Sequence, residues 1–333
     1  MFLSSAKSFA ACSILCYDDT RMKIRIGHLS TFYHTAILLM AEGTVDKQLG
    51  VAAEWRLFGT GPAIVDAFER GELDLAYIGL PPAIIGIGRG VAIKCIAGGH
   101  IEGTVISSTA RYKGFPEMQD LCDILKQFNG SKIGVPGKGS IHDVIIKDCI
   151  GKCGLARDIE IVNFPWADLV LEAVVSGEVS AAVGTPALAA AVKRYAQGRI
   201  LFPPSKLRPD NPSYGILAHD LFLKQHADLA KGFLELHEEA TAFIRNRPGD
   251  AAKIIAQYIG FIDEEFVMDA LRISPKYCAQ LTDAYIRSTM EFAVVLKRLG
   301  YVNRMIAPDE IFDASLIRGL HTAHDHYGDG ISL

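Results

Sequence analysis

One supersecondary unit occurs twice in this chain, and the repetition constrains the fold more than any other feature. The run AIVDAFERGELDLAYIGLPPA, around Ile64 to Ala83, lies beside LVLEAVVSGEVSAAVGTPAL, around Val170 to Leu188. Asp66, Gly71, Glu72 and Ala76 match Glu172, Gly177, Glu178 and Ala182 at one constant offset. After a single deletion, Gly79 and Pro81 match Gly184 and Pro186. Each copy reads as a helix stopped by glycine, a short strand, and a Gly-x-Pro entry into the next helix. A weaker echo precedes each copy: IRIGHLSTFYHTAILL and SKIGVPGKGSIHDVII both read as strand, polar loop and helix with an early histidine. Generic strand-helix grammar also places glycine after helices and proline at their starts, and either reading predicts the same geometry in both halves.

Strands alternating with helices at this spacing specify an α/β fold with open, mixed but mostly parallel sheets. At 333 residues, half of them hydrophobic, the chain exceeds one ordinary core, so two lobes are expected. Residues 1–21 read as a leader or a misassigned start, residues 22–104 with 216–333 as lobe 1, and residues 105–215 as lobe 2. The extended runs His100 to Ser108 and Tyr214 to Ala218 read as the outgoing and returning hinge crossovers. From Leu221 onward the pattern is helical, with breaks at Pro248-Gly249 and Ser274-Pro275, and is expected to pack on lobe 1.

Composition removes several classes of function. A formal charge of -4 and no long basic run argue against nucleic acid as a partner. The longest apolar candidate, Ala83 to Gly99, is cut by Arg89 and Lys94 and falls short of a spanning helix. At the N-terminus, Ser4, Ser5, Ser8 and Ser13 interrupt any apolar core of a signal peptide, while Cys12 after Phe-Ala-Ala hints at a lipid anchor. The weak leader leaves a cytoplasmic location open. The cysteines at 12, 16, 95, 122, 149, 153 and 278 show no framework spacing, so reduced thiols are expected. Cys149 and Cys153 lie four apart on an expected helix but lack two further metal ligands in order. Neither a metal nor a cofactor is expected.

The residues able to recognise a ligand gather where strands end and helices begin, the place where open α/β sheets bind their ligands. Ser30, Thr31, Phe32, Tyr33 and His34 follow the first strand, with Phe32 better read as a staple of helix to sheet. Gly137-Lys138-Gly139-Ser140 opens another helix, where backbone N–H groups, the helix dipole and Lys138 would favour an anionic group; an ordinary cap with a solvated lysine is the alternative. His100, Glu102 and Thr104 could bring a carboxylate to a cleft, or Glu102 could face solvent. Trp166 could form an aromatic wall or pack in the core. No GxSxG, HExxH or GxGxxG signature occurs, which argues against catalysis. The tail HTAHDHYGDG could bind metal adventitiously or simply be mobile.

Together these segments resemble the substrate-binding proteins of ABC importers for nitrate, sulfonate, taurine and thiamine-precursor pyrimidines. The resemblance runs from Lys23 to Asp313 and rests on IRIGHLSTFYHTAILLMAEG, AFERGELDLAYIGLPPAIIGIGRG, IKCIAGGHIEGTVIS, KIGVPGKGS, VVSGEVSAAVGTPALA and LAHDLFLKQHADLAKGFLELHEEATAFI, then GYV followed by PDEIFD. It implies a type II periplasmic-binding-protein fold, an extracytoplasmic monomer, and closure on a small organic ligand that a membrane permease and its ATPase read. It carries ligand contact over to Ser30, Thr31, Phe32, Tyr33, His34, Gly79, Leu80, Pro81, His100, Glu102, Thr104, Lys138, Gly139, Ser140, Trp166, Gly184 and Thr185. Leu80 and two prolines stand where sulfonate and nitrate binders place polar residues, which argues against an inorganic anion. An enzyme on the same fold, resembling a thiamine-pyrimidine synthase or a menaquinone-pathway dehydratase with His34 or His142 as acid or base, is the alternative. The cysteine cluster with adjacent histidine of the fungal pyrimidine synthases has no counterpart in this sequence.

Overall fold

A computed structural model describes residues 21–331. The expected leader, with Cys12 and Cys16, lies outside the described residues except for Arg21. Among the described residues, ten strands form two sheets. The first four are β1 (Lys23–Leu29), β2 (Ala52–Phe58), β3 (Leu75–Ile78) and β4 (Ile93–Ile101). They are followed by β5 (Val105–Thr109), β6 (Lys132–Pro136), β7 (Glu160–Phe164), β8 (Ala181–Gly184), β9 (Gly198–Phe202) and β10 (Pro212–His219). The first sheet has the order β2-β1-β3-β10-β4 and the second β7-β6-β8-β5-β9. In each, four strands run in one direction and one runs antiparallel between its two neighbours: β10 against β3 and β4, and β5 against β8 and β9. The two sheets are thus one design used twice, each receiving its antiparallel strand as the chain arrives from the other lobe.

The helices that matter for the cleft are α1 (Thr35–Glu42), α2 (Thr44–Leu49), α3 (Gly61–Glu69), α4 (Leu80–Arg89), α5 (Leu121–Lys126), α6 (Ile141–Lys152), α7 (Ala167–Ser176) and α8 (Pro186–Tyr195). The sequence echo is therefore α3-β3-α4 against α7-β8-α8. Its shared glycine is required by backbone geometry, since Gly71 and Gly177 have φ of 69° and 78°, a left-handed turn that side chains resist. Proline follows in the first turn of both α4 and α8, where no N–H is missed.

Apolar burial divides as the two sheets do, with one core around β1 to β4 and β10 and two smaller ones on the faces of the second sheet. Ile141, Val144 and Ile145 of α6 and Ala187, Ala190 and Ala191 of α8 join the first core, so the lobes are packed together. Helices 227–246, 248–259 and 283–298 pack on lobe 1, while 264–273 lies between 248–259 and α8 of the second lobe; Pro248 and Ser274 fall at helix ends.

The structure changes two expectations. Tyr214 to Ala218 is not the returning hinge but part of β10, paired on both sides within the first sheet; the chain crosses back in 203–211. An apolar extended run looks the same whether it crosses between lobes or fills the middle of a sheet. A boundary at 215/216 would divide this strand. The second change concerns the thiols: Cys122 and Cys153 form a disulfide, with Cα atoms 5.3 Å apart and a sequence separation of 31. The start of α5 and the end of α6 bring them together, a spatial coincidence that linear spacing does not disclose. Cys95, Cys149 and Cys278 are free, so a shared metal at Cys149 and Cys153 is not formed. Replacing Cys122 by Ser is expected to cost on the order of 3 kcal/mol through a less constrained unfolded chain, read from urea unfolding of variant and oxidised parent.

Candidate functional site

The strand-end loops of both lobes meet around one cavity of about 50 Å³, room for a water or two. Leu29, Ser30, Thr31, Tyr33 and His34 reach it from the β1–α1 loop, Gly59, Thr60 and Gly61 from β2–α3, and Gly79 and Pro82 from β3–α4. Lobe 2 contributes Pro136, Ser140, Ile141, His142, Ala167 and Thr185, and β10 contributes Ser213. The lobes are closed upon it. A Cβ on Gly59 would stand 2.3 Å from the Pro165 carbonyl oxygen, and one on Gly137 would stand 2.7 Å from Thr60 Cγ2. At Gly59 backbone meets backbone across the cleft and at Gly137 backbone meets the Thr60 side chain, so both points favour glycine.

Among the described residues, six helices present their N-termini to this cavity. The N-caps His34, Thr60, Gly79, Ser140 and Thr185 of α1, α3, α4, α6 and α8 line it, as does Ala167 at the start of α7. Thr60, Ser140 and Thr185 accept hydrogen bonds from the N–H groups of Ala63, Asp143 and Leu188. None of the lining residues is Asp, Glu, Lys or Arg. The converging dipoles therefore make a positive potential without a cationic side chain, suited to an anionic or acceptor-rich group.

His34 is the unusual member. It is 2% exposed, and neither ring nitrogen has a hydrogen-bond partner among the described residues. Its ring lies 4.0 Å from that of Tyr214 and edge-on to Tyr33. Burial first, and then the fields of His100, His28 and His237, hold its pKa well below the ordinary 6.5. A neutral imidazole, one nitrogen donor and the other acceptor, thus stands at the cavity wall unpaired, where an unmet buried polar group costs about 1–3 kcal/mol. His142, lowered to about 4 by burial, has Nδ1 3.0 Å from Thr104 Oγ1, tying the cavity wall to the outgoing crossover.

Of the residues expected at the site, Ser30, Thr31, Tyr33, His34, Gly79, Ser140 and Thr185 line the cavity. The others stand elsewhere. Phe32 packs edge-on to Phe261 and to Phe266 of the helix 264–273, against a neighbouring helix rather than as a staple of helix to sheet. Leu80 and Pro81 are buried in the first turn of α4, Pro82 facing the cavity in their place, and Gly184 ends β8. His100 is buried behind Tyr33, with Nε2 2.8 Å from the Ser274 carbonyl oxygen. Glu102 sits in the crossover, pairing with Lys276 at 3.0 Å and accepting from the Asp210 N–H. Lys138 is exposed, in an outer groove with Arg89 and Tyr301, and the Gly139 N–H donates to Asp143. The anion cradle expected there is filled by the protein's own carboxylate. Trp166 is 37% exposed and covers Gly59 at the rim. Thr60 and Ser213 were missed: Thr60 belongs to a loop recognisable as a helix entry, whereas Ser213 had no signal.

A polar cluster holds α6 to lobe 1. The fully buried Asp143 accepts from Lys147, from Asn163 and, across the lobes, from the Tyr301 hydroxyl. Deeper along α6, Asp148 meets Arg208 and Arg298. Tyr301→Phe removes one charge-assisted bond, worth about 1.5 kcal/mol or more, and is expected to weaken ligand binding about tenfold by favouring the open form. Small-angle scattering of the ligand-saturated variant should remain that of the closed parent.

Two lobes of repeated topology, two crossovers and a cleft at the strand ends define a type II periplasmic-binding-protein fold. The chain belongs to the NMT1-like family, whose model matches residues 18–260. A protein of Brucella abortus (strain 2308), whose name calls it a binding protein without further assignment, is 28% identical over 247 residues, 71% of each chain. Among solved structures, the alkanesulfonate-binding protein of Xanthomonas axonopodis pv. citri bound to MOPS matches with a TM-score of 0.75 at 17% identity, covering 88% of this chain and 98% of that one. The periplasmic nitrate-binding protein of Synechocystis PCC 6803 matches with a TM-score of 0.73 at 15% identity, covering 94% and 91%.

Proposed function

We propose that the protein is the solute-binding component of an ABC importer, closing on a small organic ligand that a permease and its ATPase receive. The observation that carries this reading is the interlobe cavity itself, where six helix N-termini and the unpaired imidazole of His34 converge. A carboxylate or sulfonate would face the N-termini, with His34 hydrogen-bonding to it or to a polar neighbour on the same molecule. The sulfonate- and nitrate-binding names of the structural neighbours agree with that chemistry. An extracytoplasmic, monomeric protein fits the reading, and the Cys122–Cys153 disulfide supports an oxidising compartment. Residues 102–104 and 203–211 are its hinge.

The test is a thermal-shift panel of small carboxylates, sulfonates, amines and pyrimidines, followed by recovery of each stabilising compound. A ligand at a hundred times its Kd adds roughly 2.7 kcal/mol and should come back chemically unchanged. Turnover of the stabilising compound would replace this reading with the enzymatic one, and a flat panel would reject the ligand classes named.

A further inference from the structure

The C-terminal segment that closes over lobe 1 carries chemistry unrelated to the cleft. After the helix Ser315–Leu320 the chain reads His321-Thr-Ala-His324-Asp-His326-Tyr-Gly-Asp329. The segment is anchored. Tyr327 is 5% exposed, stacks on Tyr285 and donates its hydroxyl to the Gln280 carbonyl oxygen, while the His326 N–H donates to Cys278 Sγ. His321 is buried and occupied, with Nδ1 2.9 Å from the Glu238 carboxylate and Nε2 3.1 Å from the His324 carbonyl oxygen. These contacts fix the backbone on both sides of His324 and His326 and leave their imidazoles at the surface.

There, one donor atom each from His324, His326 and Asp329 lies within 4.8 Å of the other two. His326 Nδ1 is already 2.7 Å from Asp329 Oδ2, and the rings of His324 and His326 are 4.8 Å apart. Tetrahedral coordination at about 2.0–2.2 Å places donors about 3.4 Å apart, so side-chain rotations of roughly 1 Å complete the geometry with the backbone unmoved. We infer that His324, His326 and Asp329 form a surface site for one borderline divalent cation, Zn2+ in the first instance, with its fourth position open to water. Two imidazoles and a carboxylate select zinc, nickel or copper over magnesium and calcium, which prefer all-oxygen sets. The bound ion would clip the segment 324–329 into a closed loop over the anchor at Tyr327. None of the three donors lines the interlobe cavity, so the site does not depend on the function proposed above.

The experiment is calorimetric titration of Zn2+ into untagged, EDTA-treated full-length protein, alongside the His324→Ala/His326→Ala double variant and Asp329→Asn. The parent should bind one equivalent, the double variant should lose that binding, and Asp329→Asn should weaken it at least tenfold. Mg2+ in place of Zn2+ should give no heat of binding. All three donors lie on the surface apart from the half-buried His326, and equal thermal midpoints in the absence of metal would show that the variants fold. Zinc binding of equal affinity in the double variant, or no stoichiometric binding by the parent, overturns the assignment.

Discussion

Lowering the pH from about 7 to about 5 is expected to remove on the order of 6 kcal/mol of folding stability through three buried histidines alone. His100, His142 and His237 are enclosed by lobe 1 and the cleft, and burial lowers each from 6.5 to about 4. The folded-state pKa lies below the unfolded one, so above about 6.5 both states are neutral and nothing is gained or lost. Between about 6.5 and 4 the unfolded chain takes protons that the folded chain refuses, and stability falls as pH falls. At pH 5 each group contributes a loss of roughly 2 kcal/mol, against a total stability of about 5–15 kcal/mol for an ordinary domain. His34, which burial also holds well below its ordinary value, adds to the same loss. Carboxylates do not confuse the window, because those held below their ordinary value, such as Glu310 at about 2 beside Arg304, release stability only in stronger acid. Urea unfolding at the two pH values measures the difference. His237→Gln, which can still hydrogen-bond toward Thr35 and Gly98, should reduce it by about a third. Equal stability at both pH values would mean that these imidazoles are not enclosed as described.

Local rules made the α3-β3-α4 and α7-β8-α8 units legible. A glycine at positive φ and a proline in the first helical turn answer to backbone sterics within a few residues, so they leave a mark on the sequence. Pairing across the chain leaves no such mark. β10 is apolar because it lies between β3 and β4, yet it reads like any extended run, and Cys122 finds Cys153 only after α5 and α6 have packed. The site divides along the same line. Ser140, Thr185 and His34 fall on the cavity because helix starts at strand ends must face it. Lys138, two residues before Ser140, does not, since positive φ at Gly137 and Gly139 turns the loop outward and Asp143 takes the Gly139 N–H. Glu102 is drawn away by Lys276, 174 residues distant in sequence. Which loop reaches the cleft was readable, and which side chain of that loop enters it was not.

His34→Leu is expected to move stability and affinity in opposite directions. The imidazole occupies a wall built from Tyr33, Tyr77 and Tyr214, and its two nitrogens are desolvated without a partner among the described residues. In a folded protein without ligand that arrangement is a standing cost, and an apolar side chain of similar size removes it, so unfolding free energy should rise by about 1–2 kcal/mol. A packing core seldom tolerates a polar group on such terms unless something else satisfies it, and the cavity is the open direction. The compound that most stabilises the parent should therefore bind the variant about a hundredfold more weakly, because a ligand polar atom would meet leucine where it formerly met a nitrogen, and would itself be left unpaired. The combined swing is about 4 kcal/mol in the ligand-dependent balance, read as a higher thermal midpoint without ligand and a much smaller shift with it. His34→Gln, which restores a donor and an acceptor in the same region, should recover part of the affinity and lose the gain in stability. A variant that gained stability and kept full affinity would remove His34 from recognition and leave the helix N-termini to hold the ligand alone.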